Sequence, residues 1–144
     1  MKSQLIREKI CSSAQDTIDL AKELKEVFKS GDCITLNGNL GAGKTFFVKC
    51  FGRLFDIDDV KSPTFTLVNN YHIGPVHIQH LDFYRINDIK ELEGIGINEI
   101  LAADAISFIE WGSLFPAVLP DSYYSIEIEH SDDLRKFKVC KNEN

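Results

Sequence analysis

The stretch from Gly38 to Thr45 reads G-N-L-G-A-G-K-T and matches the pattern G-x-x-x-x-G-K-[ST] at every fixed position. A triphosphate requires a concave row of backbone N–H donors, and glycines at this spacing let the chain wrap around it. Lys44 then reaches the β- and γ-phosphates, and the Thr45 hydroxyl lies where Mg²⁺ bridges the same two phosphates. This stretch therefore predicts a P-loop that binds a nucleoside triphosphate with magnesium.

The flanking residues support this prediction. Residues 33–36 form a short apolar run typical of a buried strand, and apolar residues recur at helical spacing after the loop. A glycine-rich turn without a ligand is the alternative, and the strand and helix around the motif disfavour it. We expect the nucleotide to contact the whole loop and the first helical residues, namely Gly38, Asn39, Leu40, Gly41, Ala42, Gly43, Lys44, Thr45 and Phe46.

Two further predicted strands end in a carboxylate. Residues 76–82 end in Asp82, and residues 105–110 end in Glu110. The C-terminal ends of parallel strands are where a P-loop sheet keeps the acid on the magnesium side. The residues leave open which acid binds the metal directly and which orients water, and a solvated carboxylate at a strand end is the alternative for each.

A serine and a threonine flank a proline at Ser62-Pro63-Thr64. Proline disfavours helical geometry in the preceding residue, so a loop is predicted to lead into a strand over residues 64–72. The Thr64 hydroxyl is either an ordinary part of this strand entry or a switch that senses the γ-phosphate or Mg²⁺.

The composition predicts one compact domain over residues 1–144, because 144 residues with 44% hydrophobic side chains suffice for a core. No stretch approaches the roughly twenty apolar residues of a membrane span, so we expect a cytoplasmic protein without membrane association. The cysteines at 11, 33, 50 and 140 form no C-x-x-C pair, which favours reduced thiols over disulfides or zinc.

The formal charge of −6 is unevenly distributed. Residues 1–53 hold nine Lys and Arg against six Asp and Glu, whereas the remainder holds seven against sixteen. The electropositive part therefore contains the phosphate loop. An acidic chain lacks the basic surface of a free-standing nucleic-acid binder, so any RNA is expected to be held by a partner.

The last part of the chain alternates apolar and polar residues over 123–129, and residues 134–139 follow after a polar turn. This pattern predicts an antiparallel hairpin. Arg135 is interpreted as a solvated strand residue, with contact to a base or partner as the alternative. The predicted fold is α/β: a single-domain P-loop NTPase fold with a mixed β-sheet flanked by helices and a C-terminal antiparallel hairpin.

Four segments in this order resemble one known family. They are G-N-L-G-A-G-K-T-F-F, S-P-T-F-T-L-V-N-N-Y, H-L-D-F-Y-R-I with E-L-E-G-I-G, and I-E-W-G with a following L-P. The chain is similar to the TsaE family of bacterial tRNA threonylcarbamoyladenosine biosynthesis proteins from about Ser12 to Leu119. Asn39 stands where that family commonly has Asp, and Phe46 where it commonly has Thr.

The resemblance implies site roles. It implies that Thr64 is a γ-phosphate or metal sensor, that Glu110 lies at the magnesium and that Asp82 is the Walker B-like acid. The expected catalytic residues are then Lys44, Asp82, Glu110 and Thr64, and the expected magnesium ligands are Thr45, Glu110 and Asp82.

The resemblance also implies an activity and partners. Members hydrolyse ATP slowly alone and act with the TsaB–TsaD complex, which transfers the threonylcarbamoyl group to a tRNA adenosine. ATP and Mg²⁺ are the implied cofactors, TsaB–TsaD the implied partner, and tRNA an indirect one. The ATPase is expected to drive or reset that complex between turnovers.

Two other functions fit a P-loop domain. A small-molecule kinase normally has an arginine-bearing lid, but the four arginines at 7, 53, 85 and 135 form no cluster in the sequence. The same scarcity suggests that a partner supplies an arginine for full ATPase activity. A non-catalytic nucleotide-gated scaffold, or a GTPase, is the third possibility, although the chain has no Asn-Lys-x-Asp motif for reading guanine.

Overall fold

Seven strands form a single sheet in the computed structural model, which describes all residues from Met1 to Asn144. The strands are β1 (Lys2–Cys11), β2 (Cys33–Asn37), β3 (Val68–Ile73), β4 (Val76–Asp82), β5 (Ile106–Glu110), β6 (Ser122–Ser131) and β7 (Leu134–Glu143). The helices are α1 (Ala14–Lys25), α2 (Lys44–Arg53), α3 (Ile89–Gly94) and α4 (Ile97–Leu101), with two 3₁₀ turns at Gly112–Leu114 and Pro116–Val118.

The strand order is β1-β7-β6-β2-β5-β4-β3. Strand β2 is parallel to both β5 and β6, and β4 is parallel to β5. Antiparallel pairs complete both edges, β3 with β4 on one side and β7 between β6 and β1 on the other. The four central strands therefore direct their C-terminal ends to the same edge of the sheet, which is where polar residues from distant segments can meet.

Helices cover both faces of this sheet. The larger core packs α1 and α2 against one face, with the rings of Phe47, Phe51 and Phe108 in mutual contact. The smaller core packs Leu92 of α3 and Ile97 of α4 against the other face. Alternation along a strand distributes side chains between the two layers, so both faces of the central strands are apolar. The predicted mixed sheet, the flanking helices and the C-terminal hairpin are confirmed.

Two parts of the sheet differ from the expectation. Strand β1 was not predicted, and it extends the C-terminal hairpin to three strands by pairing with β7 along its length. Most of its side chains are exposed on both faces, so its sequence has no apolar alternation to reveal it. The strand predicted to begin at residue 64 begins only at Val68, because a turn closed by the Leu67 N–H on the Pro63 carbonyl precedes it.

The two larger helices begin differently. Ser13 caps α1 with its hydroxyl, which accepts a hydrogen bond from the Asp16 N–H at 3.2 Å. Helix α2 has no side-chain cap, since Gly43 precedes it at φ 111°. Its first N–H groups thus remain available at the C-terminal edge of the sheet. None of the helices combines the length and the apolar composition required to cross a membrane.

Candidate nucleotide site

A cavity of about 620 Å³ lies at the C-terminal edge of the central strands. It is lined by the loop after β2, the start of α2, the turn before β3 and the ends of β4 and β5. The predicted catalytic residues Lys44, Thr64, Asp82 and Glu110 all line this one cavity, although 66 positions separate the first from the last. Its volume is within the usual range for small-molecule sites.

Six of the nine predicted nucleotide-binding residues line the cavity: Leu40, Gly41, Gly43, Lys44, Thr45 and Phe46. The other three do not. Gly38 and Asn39 line a separate polar pocket beside β6, and the Ala42 side chain is buried. These three residues instead shape the loop from behind through their backbone atoms.

The loop depends on glycine at particular positions. Gly41 and Gly43 adopt φ values of 80° and 111°, which side-chain-bearing residues rarely adopt. A Cβ at Gly38 would approach the Ile128 carbonyl oxygen to 2.6 Å, so this glycine lets the loop pass directly against β6. Both requirements explain why the motif has glycines at these places.

Lys44 is the cation at the base of the loop. The residue is only 5% exposed, and its Nζ donates hydrogen bonds to the carbonyls of Gly38 at 2.6 Å and Asn39 at 3.0 Å. The same nitrogen lies 4.5 Å from the centroid of the Trp111 ring. Burial lowers the pKa of Lys44, while the nearby Glu110 and Asp82 carboxylates oppose that shift. Lys44 is therefore a desolvated cation beside two acids.

Glu110 is the centre of a buried hydrogen-bond network. Its Oε2 atom accepts from the Thr45 hydroxyl at 2.7 Å and from Nε2 of His80 at 2.6 Å. Glu110 is 5% exposed and His80 is fully buried. Strand β5 lies directly beside β2, so its last residue comes level with the start of α2. A carboxylate paired with the hydroxyl of the loop threonine is the arrangement expected on the magnesium side of a P-loop.

Asp82 lies beside Glu110 but has different partners. The two residues are register partners in the parallel β4–β5 pair. Oδ2 of Asp82 accepts from the Thr64 hydroxyl at 3.2 Å, and Oδ1 accepts from the Tyr84 N–H at 2.9 Å. The Thr64 hydroxyl also lies 2.7 Å from that of Ser62. A turn lies before β3 where the start of a strand was predicted. This turn therefore places the Thr64 hydroxyl beside Asp82.

The interpretation of Arg135 as a solvated strand residue is wrong. Strand β7 carries it to the phosphate loop, where its Nε donates to the Ala42 carbonyl at 2.9 Å. Arg135 and Arg85 both line the cavity, and the Arg85 guanidinium lies 4.4 Å from the centroid of the exposed Phe65 ring. Two of the four arginines thus meet at this site although they are far apart in the sequence.

Trp111 lines the cavity as well as contacting the smaller core. Its backbone is left-handed at φ 61°, and its N–H donates to the Leu36 carbonyl at 2.8 Å. The Tyr84 ring lies 5.1 Å from the Trp111 ring. An aromatic residue that directly follows Glu110 therefore forms part of the cavity wall next to Lys44.

Sequence reasoning missed His80, Tyr84 and Arg85 as part of the site. A usable signal existed, because His80 precedes Asp82 by two residues in a strand and both side chains must therefore point to the same face. Tyr84 and Arg85 follow β4 in a turn, where no periodicity indicates the direction of a side chain.

The four cysteines lie away from this chemistry. All are buried and unpaired. Burial raises the pKa of the Cys33 thiol to about 12, so this side chain remains protonated and is a poor nucleophile or metal ligand.

Comparison with known proteins identifies the family. The family model described as "Threonylcarbamoyl adenosine biosynthesis protein TsaE" matches residues 11–137. Relatives named tRNA threonylcarbamoyladenosine biosynthesis protein TsaE include that of Haemophilus influenzae, which is 40% identical over 77% of this chain and 71% of its own length. The Bacillus subtilis protein of the same name is 37% identical over 83% of this chain and 75% of its own length.

A solved structure agrees with the sequence comparison. The crystal structure of Bacillus subtilis YdiB superposes with a TM-score of 0.77 at 27% identity, covering 97% of this chain and 87% of the other. The resemblance predicted from the four sequence segments is confirmed. The chain belongs to the TsaE family of proteins of tRNA threonylcarbamoyladenosine biosynthesis.

Proposed function

We propose that this protein is a magnesium-dependent ATPase that couples ATP hydrolysis to the TsaB–TsaD threonylcarbamoyl transferase complex. The hydrogen bond between the P-loop residue Thr45 and Glu110 carries the proposal, because it joins a phosphate loop to a buried acid inside one cavity. A glycine-rich turn with no ligand would have no reason to hold a desolvated lysine and two carboxylates together. The whole of residues 1–144 is proposed to act as one domain.

The chain's own residues would bind the nucleotide in a definite way. Backbone N–H groups of Gly41, Gly43, Lys44 and Thr45 would surround the phosphates, and the N-terminal end of α2 would add its positive dipole end. Lys44 exchanges its two carbonyl partners for phosphate oxygens, which are stronger acceptors for an ammonium group. Arg135 supplies a second cation from β7, next to Gly43.

The oxygen atoms at this edge fit a magnesium ion. No group of three or more His, Cys, Asp and Glu side chains is arranged to hold a metal by itself. Mg²⁺ bound with a nucleotide, however, usually takes one or two protein oxygens together with phosphates and water. The Thr45 hydroxyl and the Glu110 carboxylate are hard oxygen donors of this kind, and Asp82 adjoins them. Magnesium, when bound, neutralises charge on the β- and γ-phosphates.

Hydrolysis requires a residue that orients water near the γ-phosphate. Asp82 and Thr64 are proposed for this role, because their hydrogen bond joins the turn before β3 to the acid at the end of β4. A threonine in such a turn can respond to the presence of the γ-phosphate. Slow turnover alone is proposed, with full activity reached when the partner complex adjusts this turn or contributes another cation.

The charge distribution supports an indirect relation to RNA. The formal charge of −6 opposes direct binding of a tRNA backbone by the free protein. We propose that TsaB–TsaD holds the tRNA and that this protein acts on the complex. The cytoplasmic location predicted from the sequence stays a prediction.

Phosphate release from ATP tests the proposal. We would measure it for the purified protein alone and with TsaB and TsaD, comparing the native chain with Lys44→Ala and Glu110→Ala. Stimulation by the partners that both substitutions abolish is the expected result. Turnover of the isolated protein at the ordinary enzyme rate of about ten per second contradicts the partner-coupled mechanism.

Two other outcomes point to other functions. Nucleotide binding without hydrolysis, even with both partners, indicates a nucleotide-gated scaffold. Nucleotide consumption that requires a small-molecule acceptor indicates a kinase instead.

A further inference from the structure

His80 is a buried histidine whose role neither the P-loop motif nor the paired acids explain. It lies on β4 with no exposed surface, and its Nε2 atom is 2.6 Å from Oε2 of Glu110. Its other ring nitrogen, Nδ1, is buried without any hydrogen-bond partner. Such unpartnered polar atoms are rare in folded proteins, so a buried histidine at this position requires an explanation.

The partners determine which ring nitrogen carries the hydrogen. A carboxylate oxygen only accepts hydrogen bonds, so the short contact to Glu110 requires a hydrogen on Nε2 of His80. A lone pair on Nδ1 can lie in apolar surroundings at a lower cost than an unpaired N–H. His80 is therefore an Nε2–H donor directed at Glu110.

Two donors now converge on one oxygen. Oε2 of Glu110 accepts from both His80 and Thr45, which restricts the rotation of the carboxylate. The Thr45 hydroxyl directs its hydrogen to Glu110. The lone pairs of the Thr45 oxygen therefore remain available to a ligand in the cavity. Oε1 of Glu110 makes no side-chain hydrogen bond with the rest of the protein, and Glu110 lines the cavity. The contact with His80 thus fixes the orientation of two groups whose oxygens face the cavity, namely the Glu110 carboxylate and the Thr45 hydroxyl.

We propose that His80 is a positioning residue, which fixes Glu110 and, through it, Thr45 in the orientation needed for magnesium–nucleotide binding. The inference rests on the proposed function, since it concerns the same nucleotide site. Partners that orient the groups around a metal typically change metal affinity or activity about 10- to 100-fold when they are removed. Metal-free nucleotide binding depends on Lys44 and the loop amides, so His80 should leave it unchanged.

Three variants separate positioning from a general contribution to the fold. His80→Leu removes the donor, whereas His80→Gln retains an N–H at a similar distance from the backbone. Gln79→Leu is the matched control, because Gln79 is the neighbouring buried polar residue on β4 and pairs with Ser107 at 2.8 Å, away from the cavity. The control removes a buried hydrogen bond from the same strand without touching the site.

Trp111 provides the readout, because it is the only tryptophan and lines the cavity. Its fluorescence would be titrated with ADP in the presence of EDTA, and then with Mg²⁺ at saturating ADP. We expect His80→Leu to require about 10- to 100-fold more Mg²⁺ while binding metal-free ADP as the native chain does. His80→Gln should lie closer to the native chain, and Gln79→Leu should match it.

Each contrary outcome has a definite meaning. An unchanged Mg²⁺ requirement in His80→Leu, an equal loss in His80→Gln, or the same shift in Gln79→Leu overturns the positioning role. If native protein binds no ADP, or binds it without any Mg²⁺ effect, the proposed function itself fails.

NMR of the native protein tests the proposal even if His80→Leu does not fold. Long-range ¹H–¹⁵N spectra should show the hydrogen on Nε2 of His80 and none on Nδ1. The His80 ring signals should shift when Mg²⁺ is added to the ADP-bound protein, because the ring contacts Glu110. A hydrogen on Nδ1, or signals insensitive to Mg²⁺, overturns the inference.

Discussion

The Thr45 hydroxyl donates a 2.7 Å hydrogen bond to Oε2 of Glu110, a residue 65 positions later in the chain. Strands β2 and β5 are adjacent and parallel, so their C-terminal ends lie at the same level. This contact distinguishes Glu110 from Asp82, which instead bonds Thr64 and the backbone of Tyr84. The two acids of the site therefore have different neighbours and are expected to have different roles.

Substitution of each acid by its amide should separate these roles. We expect Glu110→Gln to raise the Mg²⁺ concentration needed for nucleotide binding, since an amide has no charge to attract a cation. Asp82→Asn should lower the rate of hydrolysis by about 100-fold or more, the range for loss of a general base, and change the Mg²⁺ requirement much less. The measurements are Mg²⁺ titrations of nucleotide binding and single-turnover phosphate release. The reverse pattern would exchange the two assignments.

Thr64→Val should impair the response to the γ-phosphate. The substitution removes the hydroxyl that donates to Asp82 but keeps the side-chain volume. We expect slower ATP hydrolysis with unchanged ADP affinity, because ADP has no γ-phosphate to contact. Thr66→Val is the matched control, since the Thr66 hydroxyl bonds Asn69 at 2.6 Å in the same turn, outside the cavity. Equal effects of the two substitutions would show that the turn matters only for its rigidity.

Arg135→Gln should weaken nucleotide binding although the residue lies on the C-terminal hairpin. It removes a cation from the cavity and the hydrogen bond to the Ala42 carbonyl. A hydrogen bond that involves a charged group contributes about 1.5–3 kcal/mol. Loss of the Arg135 cation should therefore lower ATP affinity by about tenfold or more. Lys136→Gln changes the net charge equally at the next residue, which bonds Glu8 at 2.8 Å, and should leave ATP affinity unchanged. Isothermal calorimetry on both variants measures the difference, and a similar loss in both points to long-range electrostatics.

The lowered pKa of Lys44 predicts a specific pH dependence of stability. Burial, its largest cause, lowers this pKa below the ordinary lysine value of 10.5, so between the two values the unfolded chain binds more protons than the folded protein. Stability contributed by this residue therefore rises with pH across that window. The difference in unfolding free energy between the native chain and Lys44→Met should be constant below the lowered pKa. Above it, the native chain should gain stability relative to Lys44→Met. Urea unfolding of both proteins from about pH 8 to about pH 10.5 measures it.

The titration of Lys44 should change nucleotide affinity in the direction opposite to its effect on stability. Phosphate groups bind the protonated form of Lys44, so nucleotide affinity should fall as pH rises through the lowered pKa. A fall that begins only near 10.5 would contradict a shifted Lys44.

The sequence alone determined the features that depend on neighbouring residues. The P-loop motif, with its strand before and helix after, is local, because backbone geometry and phosphate contacts come from consecutive residues. Asp82 and Glu110 were found as strand-terminal acids for the same reason. The quoted motifs were sufficient to predict the family, which the comparisons confirmed.

The tertiary structure decided what depends on which strands are neighbours. The pairing of Glu110 with Thr45, the approach of Arg135 to Ala42 and the burial of His80 against Glu110 each join segments that are far apart in the chain. No local periodicity specifies such contacts, since they follow from the strand order and the register. Strand β1 also depends on the tertiary structure. Its exposed faces have no apolar pattern, so only its pairing with β7 defines it.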